Sequence, residues 1–171
     1  MKNIYLFLLL LILIGCGFNP LSQTSFIPIT CPSVLFASEH KTYVGSLSEI
    51  ITLDNIAYQA EINNAVFAKE CQINDNVFSS DLALLFIVSP LEEKNNIINL
   101  PFYVAIIDEN KNLQDIQYYL ISGVFKKNPE TNELIETELT KTIFVNLPLM
   151  EGSLSVVIGF ILDKKRLEIL N

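Results

Sequence analysis

The chain has 171 residues, half of them hydrophobic and 18% charged, a balance that suits one globular domain and excludes a disordered tail protein. Nineteen acidic against 11 basic side chains give −8, which argues against a surface built to neutralise phosphates and hence against a nucleic-acid partner. One histidine, three cysteines and no tryptophan leave little material for metal or nucleophilic chemistry, so no enzymatic role and no cofactor are expected.

The N-terminus carries one positive charge in Met1-Lys2-Asn3, then an unbroken apolar run over residues 4–14, then Gly15-Cys16-Gly17. A helix that crosses ~30 Å of hydrocarbon needs about 20 apolar residues, and this run stops near half of that, as the core of a cleaved signal peptide does. Leu13-Ile14-Gly15-Cys16 resembles the lipobox of bacterial lipoproteins, in which a branched apolar pair and a small residue precede the cysteine. The resemblance implies that the Cys16 thiol receives diacylglycerol, that cleavage falls just before it, and that the new amine is acylated, for instance with palmitate. At about 0.8 kcal/mol per buried methylene, two or three chains make an effectively permanent membrane anchor. An ordinary secretory signal that happens to contain a cysteine is the alternative. Gly17 stands where many inner-membrane lipoproteins have aspartate, so the periplasm-facing outer membrane is expected rather than the inner one. Loss of residues 1–15 removes only Lys2 among the charged side chains, leaving a mature surface that repels anionic headgroups and an attachment that rests on lipid alone. The expected organisation is a signal peptide at 1–15, a lipidated tether at 16–30 and one domain at 31–171.

The tether has two prolines and no charge, and reads as extended chain. Phe18, Phe26 and Ile27 suggest that part of it lies along the domain or dips toward the headgroups. With Cys16 committed to lipid, Cys31 and Cys71 remain, and a pair in an oxidising compartment is most simply a disulfide. Free buried thiols, or a metal or redox pair, are the alternatives. His40 reads as a solvent-facing loop residue.

From Ser33 onward the apolar period is two far more often than 3.6. Ile56, Tyr58, Ala60 and Ile62 alternate with polar or small neighbours in a half-buried strand that continues to about Ala68. Residues 82–88 are apolar on both faces and read as a central strand. Residues 101–108 are similar and are expected to enter at Pro101, with Phe102, Val104 and Ile106 facing a second sheet. Tyr103, Ala105 and Ile107 should lie opposite, under a loop or the tether. Asp108-Glu109-Asn110-Lys111-Asn112 is the turn into a hairpin with residues 116–121. Asn128-Pro129-Glu130-Thr131-Asn132 breaks the chain, residues 136–145 and 153–162 read as further strands, and residues 163–170 as a short helix. Gly152 marks a turn and Gly159 a bulge or close backbone approach.

Six to eight strands without a long helix predict an all-β fold, an antiparallel two-sheet sandwich of the immunoglobulin or fibronectin-III kind, with a small β-barrel as the alternative. At this level the chain resembles a family of uncharacterised proteobacterial lipoproteins of the outer-membrane type. The resemblance lies in Cys31-Pro32-Ser33-Val34, in Cys71, in the strand from Leu100-Pro101-Phe102-Tyr103 to Ile107-Asp108, and in the closing Val156-Val157-Ile158-Gly159-Phe160-Ile161-Leu162. It spans about residues 13–165 and implies the class, the anchor and the disulfide without an activity. The chain departs from that family in its many Ile, Asn and Lys residues, which read as AT-biased coding.

Few constellations carry chemistry. Asp108-x-Asn110-x-Asn112 copies half of a calcium loop, but Leu113 stands where glycine is needed and Tyr119 where a bidentate glutamate is needed. Glu92-Glu93 and Glu133, Glu136 and Glu138 read as solvated charge. Tyr103, Tyr118 and Tyr119 cluster near one hairpin as a possible partner surface, although alternation must send at least one into the core. The expected role is a lipid-anchored envelope module that binds another envelope protein or serves in assembly. A carrier of a small apolar ligand or lipid is the alternative, and an enzyme is the weakest reading.

Overall fold

The computed structural model describes residues 27–171 except 47, 49, 76, 93–95 and 149–151. The expected signal peptide, Cys16, Phe18, Phe26 and Glu93 therefore lie outside the described residues. Twelve strand segments and one short helix are present among those described. They are β1 (Ile27–Ile29), β2 (Ser33–Phe36), β3 (Thr42–Ser46), β4 (Ile56–Phe67), β5 (Cys71–Asn74), β6 (Val77–Pro90), β7 (Ile97–Ile107), β8 (Leu113–Val124), β9 (Lys126–Lys127), β10 (Leu134–Ile135), β11 (Thr137–Pro148), β12 (Ser155–Phe160) and α1 (Lys164–Leu170).

The first sheet is antiparallel and centred on β6, which pairs with β11 along one edge and with β4 and β5 in succession along the other. Strands β3 and β1 occupy the far edges of β4 and β5. The second sheet has the order β2-β12-β7-β8 and is antiparallel except that β2 runs parallel to β12. Neither sheet closes on itself, so the fold is an all-β sandwich and the barrel alternative is set aside. The expected tether ends in β1, whose residue Ile29 pairs with Cys71, and Cys31 is disulfide-bonded to Cys71.

The core forms because strand alternation delivers one face of each sheet to the other. Along β6, Phe78, Leu82, Leu84, Phe86 and Val88 are buried, as are Leu100, Phe102, Val104 and Ile106 along β7 and Val156, Ile158 and Phe160 along β12. Phe86 meets Phe102 and Phe160 at centroid distances of 5.2 and 5.8 Å, so aromatic rings fill the space between the sheets. Tyr58 adds a polar tie. Its hydroxyl donates to the Asn99 carbonyl at 2.8 Å and accepts from the Asn99 amide at 3.1 Å, satisfying β7 beyond the end of β12. Burial, the dominant cause, raises the Tyr58 pKa.

Gly45 lies under that ring, and a Cβ built there would stand 2.0 Å from Tyr58 Cζ. To make room, the ring would have to shift against its two hydrogen bonds to Asn99. Gly45→Ala is expected to cost about 1–3 kcal/mol through overpacking, read as a lower midpoint in denaturant unfolding; an unchanged midpoint would show that the ring is free to move.

Several expectations change on contact with the fold. Pro101 sits inside β7 and does not start it, because the strand begins at Ile97. The Ile161 amide donates to the Pro101 carbonyl at 3.0 Å, so the missing proline N–H faces the side where β12 ends and costs no bond to β8. Segments β2, β3 and β5 add strands that alternation over four or five residues did not declare. The edge of β3 is covered by α1: Asp163 caps the helix through the Arg166 amide at 2.8 Å, Arg166 Nε donates to the Val44 carbonyl at 3.0 Å, and its guanidinium lies 5.0 Å from the Tyr43 ring centroid. No helix among the described residues is long and apolar enough to cross a membrane.

Candidate functional site

The hairpin β7–β8 sets the geometry of the tyrosine cluster. Its turn is organised by Asp108, whose carboxylate accepts from the amides of Asn110 and Asn112 at 2.9 and 2.8 Å, from Asn112 Nδ2 at 3.0 Å and from Gln114 Nε2 at 3.0 Å. These bonds, that of the Asn112 side chain first, hold the Asp108 carboxyl below its ordinary pKa. The half calcium motif is thus occupied with closing a turn, and Lys111 takes a left-handed backbone there, φ 65°. Among the described residues no group of three His, Cys, Asp or Glu is placed to hold a metal ion.

From that turn the register pairs Phe102 with Tyr119 and Tyr103 with Tyr118. The cluster is therefore split. Tyr119 goes to the inner side, its ring stacked on Phe102 at 5.3 Å, and its hydroxyl donates to Gln117 Oε1 at 2.6 Å while Gln117 Nε2 donates to Asp115 at 2.9 Å. Burial and then the Asp115 charge raise the Tyr119 pKa. Tyr103 and Tyr118 remain neighbours on the outer face. Tyr103 is half-buried, with its pKa raised by burial, and Tyr118 is exposed.

His40 departs from its expected place in a solvent-facing loop. It ends the 3-10 turn Ser38–His40, which is tied to β12 by the Ala37 amide donating to the Ile158 carbonyl at 2.9 Å. Its Nδ1–H donates to the Phe160 carbonyl at 2.9 Å, and its ring stands edge-on to Tyr103 at 5.8 Å. Gly159 makes this possible: a Cβ there would lie 2.7 Å from the Tyr103 hydroxyl and 2.8 Å from His40 Cβ. The close approach expected at Gly159 is thereby located.

The outer face of the second sheet is the most distinctive surface. Its outward strand residues include no Asp, Glu, Lys or Arg. Leu113, Tyr118, Leu120 and Val124 on β8 are each more than half exposed, and Leu35 on β2 is nearly so. Of the residues expected under a loop or the tether, Ala105 is buried and Tyr103 and Ile107 are half-buried, and the His40 ring stands against Tyr103. Sequence reading singled out Tyr103 and Tyr118 but missed Leu113, Leu120 and Val124, whose signal was the alternation of Ile116, Tyr118 and Leu120 along the strand.

The outer face of the first sheet is different in kind. It carries Glu61 paired with Lys41 at 2.7 Å and Asp81 paired with Lys69 at 2.6 Å. A groove of about 330 Å³ crosses it over Val66, Ala83, Leu85, Thr140 and Thr142, on the surface rather than between the sheets. Two of the carboxylates read as solvated charge meet hydroxyls, Glu136 accepting from Ser89 at 3.1 Å and Glu133 from Thr131 at 2.9 Å.

Compared with family models, with curated proteins and with solved structures, the chain finds no match.

Proposed function

We propose that this is a lipid-anchored protein of the bacterial envelope whose domain is a non-catalytic protein-binding or assembly module, held to the outer membrane through Cys16 and facing the periplasm. The lipobox-like Leu13-Ile14-Gly15-Cys16 supports the anchor. The Cys31–Cys71 disulfide is in keeping with an oxidising compartment. The resemblance to outer-membrane-type lipoproteins rests on its motifs alone.

The observation that carries the binding role is the uncharged outer face of β7 and β8. Single exposed apolar side chains are ordinary on a protein surface, but a mostly apolar face without charged residues on a protein of net charge −8 is the kind of surface that marks an interface. The carrier alternative gains no such support, because Phe86, Phe102 and Phe160 occupy the middle of the sandwich where a ligand cavity would open.

Tyr118→Asp tests the reading. The side chain is 66% exposed, so the domain should melt within about 0.5 kcal/mol of the parent while losing its crosslinked partner in the envelope. Full retention of the partner, or a parent protein that crosslinks to nothing above background, would count against it.

A further inference from the structure

We propose that the outer face of β7 and β8 binds a second copy of this chain, sheet against sheet about a twofold axis. The inference rests on reading that face as an interface and names the partner.

Charge is the first argument. Two bodies of −8 repel wherever carboxylates oppose one another, and like-charge juxtaposition across a contact costs several kcal/mol. A twofold contact sets one patch against itself, so a patch without charged residues meets its own copy at no like-charge cost. The outward residues of β7 and β8 meet that condition, whereas the outer face of the first sheet, with Glu61, Asp81 and Glu138, does not. A foreign protein would need an equally uncharged face; a second copy supplies one by construction.

Shape and area agree. Sheet faces pack on one another at about 10 Å, with apolar side chains interleaved, and Tyr118 and Leu120 stand out from this face as the groups that would interleave. Strands of 11 and 12 residues beside the six-residue β12 span a plane of roughly 500 Å² per copy at ordinary strand spacings. Two copies then cover about 1,000 Å², the lower bound for a specific contact. A lipid surface fits less well. It would draw into hydrocarbon the hydrogen-bonded Ser122–Asn99 pair, 2.7 Å, and the backbone groups of β8, which pairs with β7 alone among the described strands. A facing sheet leaves these at a wet rim.

The test places a photo-crosslinking benzoyl-phenylalanine at position 118 of the full chain in its own envelope, with position 142 on the other sheet as the control. The expected result is a covalent adduct at about twice the mass of the processed monomer from position 118 and none from position 142. Adding Leu120→Lys should reduce that adduct about tenfold or more, since it buries a charge against its own copy, with no change in thermal unfolding. An adduct with a different protein would overturn the second copy and leave the interface reading standing. A lipid adduct, or none, would overturn both.

Discussion

Val104→Asp is expected to unfold the domain. Val104 is 4% exposed and belongs to the core shared by the two sheets. It lies on β7 between Ile158 of β12 and Gln117 of β8, so neighbours flank it on both sides. An unpaired carboxylate there is either ionised at a cost of several kcal/mol or protonated at the expense of its pKa, and a domain of this size has about 5–15 kcal/mol in total. Circular dichroism and amide dispersion should show a largely unfolded or insoluble product. A soluble variant with unchanged melting would overturn the assignment of this strand face to the core. Tyr118→Asp, on the neighbouring strand and the opposite face, puts the same chemical group on the same sheet and is expected to be tolerated. The contrast between the two positions separates core from exposed surface on physical grounds alone.

Loss of the disulfide is the second large effect. Cys31 follows β1 in the first sheet and precedes β2 in the second, so its bond to buried Cys71 fixes the point where the chain crosses between sheets. The bond closes a segment with a sequence separation of 40 residues, which chain-entropy reasoning values at about 4 kcal/mol. Cys31→Ala should therefore lower stability by roughly 2–5 kcal/mol in denaturant unfolding, and peptide mapping without reductant should recover Cys31 joined to Cys71. Two alkylatable thiols in protein taken from the envelope, or an unchanged unfolding midpoint, would contradict this.

The parts of the fold that were legible are those in which one face is wet and the other dry. The alternation Leu154, Val156, Ile158, Phe160, Leu162 located β12 because its inward side chains are all large and apolar, and three of them are fully buried. Asp108 and the asparagines after it announced the hairpin because closing that turn is local chemistry. Strand β2 was not legible: four residues hold too little pattern, and its parallel pairing with β12 joins positions far apart in sequence. Residues 82–88 read as apolar on both faces, yet their outward side is only half covered and flanks a surface groove. Periodicity counts apolar residues and does not say what lies above them. The same limit applied to the candidate site. Alternation required the tyrosines to divide, but only the register with β7 decided that Tyr118 would join Tyr103 outside and Tyr119 would stack on Phe102. His40 was misplaced because its position depends on Gly159, a residue whose lack of a side chain carries no hydrophobic signal.

The central claim is that this sandwich works from a membrane to which Cys16 ties it. Metabolic labelling with radioactive palmitate, comparing the parent chain with Cys16→Ser in the same envelope, tests it most directly. The account predicts label in the parent and none in the variant, which should be released or misprocessed; label retained by Cys16→Ser, or absent from both, would contradict it.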